Sequence, residues 1–291
     1  MTVMAVPLGR IRETIWKAPA PLIVAGLAFL VCFWRPMVTL GQDWWSDPDA
    51  GHGLLLFPVA LWLAWKRGIV AEPVPQRSLG LALLAGSVIL RYLSGLAAEL
   101  FTMRLSLLGA AAGLVVYAYG TRQLLRWWLP ALLLLLSVPL PAVVMGSLAL
   151  PLQLKASAWG AELLSLRHVP VRLAGNVINL PGQSLFVTEA CSGLRSLTAL
   201  LALGLLVAGL WLRSPWGRAL LVFLAIPVAM VLNALRVFLT GFFVYFVDPR
   251  MGEGVMHLTQ GWVIFVVAFA ILGGLAAVVG SLERRLARRA A

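Results

Sequence analysis

Charge is what this sequence has least of. Of its 291 residues only 12% are Asp, Glu, Lys or Arg, while 61% are hydrophobic and the mean hydropathy is +0.94. A water-soluble domain of this size does not sustain that balance, so an integral membrane protein is expected. Acidic residues are scarcer still, 11 against 23 Lys and Arg, for a net charge of +12. That excess does not imply a nucleic-acid partner, because the basic residues fall in short clusters between apolar runs, the pattern that encodes membrane topology. With only Cys32 and Cys191 there is no disulfide framework, although one bridge between them stays open. No apolar core followed by a small-residue cleavage site occurs up to Lys17, so no removable signal peptide is expected. Fixed-period repeats, low-complexity tracts and a soluble domain are also missing. One membrane domain covering 1–291 is the economical reading.

What the chain has in abundance is apolar runs. About eight are long enough to cross a bilayer once flanking aromatics are counted: Ala20–Trp34, Gly53–Trp65, Leu79–Ala97, Phe101–Tyr119, Trp127–Gly146, Ser192–Trp211, Ala219–Phe246 and Leu258–Gly280. The expected fold class is an all-α polytopic membrane protein. Its connections alternate in charge. Arg10, Arg12 and Lys17, then Lys66, Arg67 and Arg77, then Arg122 and Arg126, then Arg213 and Arg218, then Arg284, Arg285, Arg288 and Arg289 fall on one side. Asp43, Asp47, Asp49, Glu99, Glu162, Glu189, Asp248 and Glu253 fall on the other. By the positive-inside rule the basic side is cytoplasmic, with both termini inside.

The long outer connection from Ser147 to Ala190 is the only sizeable part outside the spans. Leu148 to Leu166 reads as an amphipathic helix in the interface. Beyond it the period changes. Val171, Leu173, Val177 and Leu180 recur between the turn signals Gly175-Asn176 and Pro181-Gly182, and Ser184 to Thr188 is extended again. A small β-meander is expected here, handing the chain to the sixth span.

At that junction lies Glu189-Ala190-Cys191-Ser192-Gly193-Leu194-Arg195. A cysteine at a helix start faces unpaired backbone N–H groups and the positive end of the helix dipole, which favour thiolate. Gly193 leaves that backbone uncovered. With a helix starting near Ser192, Arg195 lies one turn after Cys191 on the same face and adds positive charge. Glu189 opposes the thiolate if it points the same way. Three arginines at membrane depth, Arg91, Arg195 and Arg236, meet no acidic residue within the expected spans, an imbalance that suits a site awaiting an anion. Arg236, in Asn233-Ala234-Leu235-Arg236, has a second reading in which its guanidinium bonds carbonyls at a helix break near Pro227 or Gly241. Arg195 and Arg91 have a second reading as side chains that snorkel. The histidines His52, His168 and His257 all fall on the outer side. Acyl transfer through a thiol wants an imidazole beside the sulfur. His257 opens the eighth span at the level expected of Cys191, His52 in Gly51-His52-Gly53 is its rival, and His168 reads as a solvated loop residue.

Together these strings resemble the exosortase family of bacterial membrane cysteine transpeptidases. The resemblance rests on Gly51-His52-Gly53, Val138-Pro139-Leu140-Pro141, Ala190-Cys191-Ser192-Gly193-Leu194-Arg195, Asn233-Ala234-Leu235-Arg236-Val237, and His257 with Gly261. It implies a catalytic set corresponding to Cys191, Arg236 and His257, supported by Glu189, Gly193, Arg195, Asn233 and His52. It implies no cofactor and no metal. The partners implied are the lipid bilayer and exported proteins with a C-terminal sorting signal, made of a Pro-Glu-Pro-like motif, a membrane helix and a basic tail. Arg195 is the candidate to pair with the acid of that motif. Processing would occur at the outer face of the bacterial inner membrane, with the acceptor left open. A polytopic transporter, which should show interrupted half-helices or inverted repeats, and a non-enzymatic scaffold for export or surface polysaccharide assembly are the alternatives.

Overall fold

The computed structural model describes residues 19–187, 193–252 and 254–290, and their side chains except those of 19–23, 25, 252–258, 289 and 290. Cys191 and Glu189 lie outside these residues, and so does the side chain of His257. The chain divides into two compact units at Pro139–Leu140.

The first unit contains α1 (Pro19–Ser46), α2 (Gly53–Arg67), α3 (Arg77–Leu96), α4 (Leu100–Tyr119) and two short helices, α5 (Thr121–Arg126) and α6 (Trp128–Leu136). α3 and α4 form an antiparallel hairpin. Glu99 caps α4, accepting from the N–H groups of Phe101 at 2.9 Å and Thr102 at 2.7 Å and from the Thr102 hydroxyl. That satisfies two of the donors every helix start leaves open. At one end of the unit Arg67 Nη1 donates to the Arg126 carbonyl at 2.8 Å, and Arg126 Nε returns a bond to the Arg67 carbonyl at 2.7 Å. Two basic clusters assigned to one side by charge alternation therefore do meet. Elsewhere Arg104, only 3% exposed, pairs with Asp43 at 2.8 Å and donates to the Thr39 carbonyl. Arg104 is a membrane-depth arginine that the charge survey passed over, and its acid sits on another helix.

The second unit contains α7 (Ala142–Ser165), a three-stranded antiparallel sheet of β1 (Arg172–Ala174), β2 (Val177–Leu180) and β3 (Gln183–Phe186), then α8 (Leu194–Trp211), α9 (Pro215–Phe246), a 3₁₀ turn (Pro249–Gly252) and α10 (Gly254–Ala290). The meander is present with the expected turns. Gly175 and Gly182 take φ of +62° and +80°, where only glycine is unstrained. β2 alternates as a half-buried strand should, sending Ile178 and Leu180 into a cluster with Ala156 and Leu164 of α7 and Val237 and Val244 of α9. A second cluster, with Leu200, Val207, Leu221, Ala225, Leu272 and Ala276, joins α8, α9 and α10. α7 meets α9 closely at Gly160, where a Cβ would lie 2.6 Å from Val237 Cγ1.

Among the described residues five helices are long and apolar enough to span: Arg77–Leu96, Leu100–Tyr119, Leu194–Trp211, Pro215–Phe246 and Thr259–Arg288. They coincide with the third, fourth, sixth, seventh and eighth expected spans. Two others come out short, since α2 has 15 residues and α6 has 9. The apolar run Trp127–Gly146 is not one helix. Pro139 and Pro141 lack N–H groups and push the residue before each into extended backbone, so α6 ends at Leu136 and α7 starts anew at Ala142. The expected interfacial helix Leu148–Leu166 is the bulk of α7, and its small residues are buried against α9. In α9 the helix continues through both Pro227 and Gly241.

Candidate functional site

The local fold around the cysteine segment is set by Gly193. It caps α8 with φ +79° and ψ 1°, and the helix begins at Leu194. The described helix thus starts at Leu194, close to the start expected near Ser192, while Cys191 and Ser192 themselves lie outside the described residues. Arg195 is exposed in the first turn of α8. Gly193 is also pressed against α9. A Cβ there would fall 2.6 Å from Cγ and 2.9 Å from Nδ2 of Asn233, which is 5% exposed. Upstream, Val187 is buried and tied to Asn176 in both directions, its N–H donating to the Asn176 carbonyl at 2.9 Å and its carbonyl accepting from Asn176 Nδ2 at 3.1 Å. Both ends of the short segment that carries Cys191 are therefore anchored in the second unit.

Arg236 follows Asn233 by three residues on α9 and is half-buried. α10 passes directly over it. A Cβ on Gly261 would lie 3.4 Å from both Cζ and Nη2 of Arg236, at contact distance, so α10 lies against the guanidinium with no room for a side chain beyond a methyl. One turn further along α9, the Thr240 hydroxyl lies 2.9 Å from the Arg236 carbonyl and 2.9 Å from Gln260 Oε1, bridging the turn that bears Arg236 to α10. His257 belongs to α10, three residues before Gln260 and four before Gly261, positions that share one helical face. A recess of about 10 Å³, the room of roughly one water, lies between α8, α9 and α10. Ser196, Asn233, Arg236 and Gly261 line its polar part, with Leu200 and Ile264 among its apolar walls.

Segments flanking all three expected catalytic positions thus come together, Gly193 on Asn233 and Gly261 on Arg236. His52 is described within the first unit, where its Nε2 is 3.1 Å from the Leu136 carbonyl at the end of α6. Trp44 Nε1 donates to the next carbonyl, of Ser137, at 2.8 Å. These two side chains satisfy carbonyls that the proline break leaves open. The Gly53 of the Gly-His-Gly string makes room for the indole, since a Cβ there would lie 2.1 Å from Trp44 Nε1. Arg91 also belongs to the first unit, on α3. Sequence reasoning overlooked Thr240, Gln260 and Trp44. Thr240 stands at i+4 from Arg236 and Gln260 at i+3 from His257, which was the signal available.

Cys32 carries a free thiol and is half-buried on α1. Among the described residues no group of three His, Cys, Asp or Glu side chains is placed to hold a metal ion.

The family model for transmembrane exosortases matches residues 44–274. No curated protein and no solved structure matches the chain.

Proposed function

Because this chain belongs to the transmembrane exosortase family, a family of membrane-embedded sorting transpeptidases and proteases, we propose that it cleaves C-terminal sorting signals through a thioester on Cys191. The observation that carries the reading is the junction of Gly193 with Asn233 and of Gly261 with Arg236, which draws the sequence neighbourhoods of Cys191, Arg236 and His257 onto adjacent turns of α8, α9 and α10.

In this mechanism His257 accepts the Cys191 thiol proton and the sulfur attacks the scissile carbonyl carbon. The carbonyl oxygen becomes an oxyanion that Arg236 stabilises. Collapse breaks the C–N bond, His257 returns the proton to the leaving amine, and the upstream protein stays on sulfur as a thioester. Water then releases a carboxylic acid, or an amine or hydroxyl acceptor takes the acyl group. Asn233 and Gly193 support the cysteine segment, while Arg195, exposed at the head of α8, meets the acid of the substrate motif. The substrate is an exported protein with a Pro-Glu-Pro-like motif, a membrane helix and a basic tail. Its helix docks laterally, which fixes the depth of the scissile bond. Chain 1–291 acts as one membrane domain with both termini cytoplasmic, and about eight passages put the site at the periplasmic face of the inner membrane. The mutual bonds of Arg67 and Arg126 support that orientation, since they join two basic clusters at one end of the first unit.

The test is co-expression with one exported protein carrying such a signal, followed by mass determination of its new C-terminus. Wild type and Cys32→Ala should process it equally and Cys191→Ala not at all. Unchanged processing by Cys191→Ala would remove the thioester from the mechanism.

A further inference from the structure

On the outer surface of the second unit, α8 and α9 leave a groove of about 400 Å³ between them. Leu201 and Leu205 form one wall and Ala219, Val222, Phe223 and Ile226 the other, so every lining residue is apolar except Arg218 at one end. From Arg218 to Ile226 the groove runs about 12 Å along α9, most of the ~15 Å depth of one hydrocarbon leaflet.

Three features place the Arg218 end at the membrane surface. Trp211 closes α8 and Trp216 opens α9, 61% and 85% exposed, as indoles are at the headgroup boundary. Arg213 and Arg218 stand in and just after the turn between the two helices. Glu283 of α10 joins them, accepting from the N–H groups of Arg213 at 3.0 Å and Ser214 at 3.2 Å and from the Ser214 hydroxyl at 2.6 Å. That tie brings Arg284, Arg285 and Arg288, all exposed, to the same end. Arg213, Arg218, Arg284, Arg285 and Arg288 thus fall, with the single acid Glu283, near the end where the apolar groove meets the surface.

We propose that this groove seats one anionic phospholipid, an acyl chain lying between α8 and α9 and the phosphate among Arg218 and its neighbours. The choice of occupant follows from the charge. A zwitterionic lipid would bring its own ammonium into the arginine cluster, whereas a headgroup with net negative charge gains from every guanidinium. The groove is shallow and open at the side, which suits a chain that enters from the bilayer.

Native mass spectrometry of the purified full chain tests this, from micelles supplemented with phosphatidylglycerol or with phosphatidylcholine. Wild type should retain one phosphatidylglycerol and little phosphatidylcholine. Ala219→Trp, an exposed position on the groove wall, should cut phosphatidylglycerol retention to the phosphatidylcholine level. Arg218→Gln should lower it roughly fivefold, the factor that about one interfacial cation contributes. Arg218 Nε also braces the Leu212 carbonyl at 3.0 Å, so if Arg218→Gln loses its wild-type melting temperature the Ala219→Trp result decides. Equal retention of the two lipids by wild type would overturn the proposal, as would undiminished phosphatidylglycerol in Ala219→Trp, the sign of a headgroup held by the basic surface alone. A dimer that excludes lipid from the groove would overturn it in favour of a second copy of the chain.

Discussion

Replacing Gly193 by alanine puts the proposed site under a load that can be worked out from the structure. The residue has φ +79°, and moving an alanine into that region costs about 1–2 kcal/mol. Its new Cβ would stand 2.6 Å from Asn233 Cγ, whereas carbon atoms rest at about 3.5–4.0 Å. Asn233 is 5% exposed and has little room to retreat. Overpacking of that kind adds about 1–3 kcal/mol. The cheapest relief is to move the segment that carries Cys191, because α8 and α9 are held by the Leu200, Leu221 and Ala225 cluster. If only about 2 kcal/mol is relieved in this way, roughly one molecule in 30 keeps a competent arrangement. Gly182→Ala is the control, since Gly182 has φ +80° with nothing within 4 Å of its would-be Cβ. It carries the backbone cost without the collision. The assay measures initial processing rate per folded molecule by mass of the substrate C-terminus, beside the melting temperature in detergent. Gly193→Ala should process about 30-fold more slowly or worse, while Gly182→Ala should lose some stability and keep its rate. Equal rates for the two variants would show that the Gly193–Asn233 contact does not govern the nucleophile.

His257→Ala should accumulate in the membrane, retain substrate in crosslinking and slow thioester formation by about 10²–10⁴-fold. His52→Ala, which loses the bond to the Leu136 carbonyl, should lower stability by about 1 kcal/mol with the rate per folded molecule kept; the reverse pattern would make His52 the base. At Glu99 burial works against the ionised form, but the Thr102 hydroxyl, the N–H groups of Thr102 and Phe101 and the charge of Arg104 outweigh it and hold the pKa below its ordinary 4.5. A lowered folded-state pKa gives stability that is present above the unfolded value and lost as pH falls through the folded one, so wild type should lose melting temperature below pH 4.5. Glu99→Ala should be less stable by about 0.5–2 kcal/mol at neutral pH and show less of that acid dependence. Reporters fused after Arg67 or Arg213 should be cytoplasmic and those after Pro48 or Asn176 external, and an external Arg213 fusion would put Cys191 on the wrong side.

The parts of the fold that were legible are those whose cause is local. Gly175-Asn176 and Pro181-Gly182 specify turns by backbone chemistry, and the meander follows from them. Long apolar runs were equally plain at α3, α4, α8, α9 and α10. The run 127–146 misled because hydropathy is blind to the loss of N–H groups: proline is apolar enough to extend the run while ending the helix. Arg104 escaped notice for the opposite reason. Its acid, Asp43, is on α1, and only the packing of α1 with α4 brings them together.

For the site the division is sharper. Cysteine, arginine and histidine stand out wherever they fall in apolar spans, because ionisable groups there need a reason. Threonine, glutamine and glycine do not stand out, although these fix the geometry around Arg236. Gly261 is legible only as a small residue until α10 is seen lying against the guanidinium, 3.4 Å from where its Cβ would be. Thr240 is likewise one more helix-interior threonine until its hydroxyl is found between the Arg236 carbonyl and Gln260. A residue larger than alanine at 261 has to push either the guanidinium or the helix, and Gln260 one position earlier resists movement of the helix. The guanidinium is thus positioned by shape and by a hydroxyl bridge between α9 and α10.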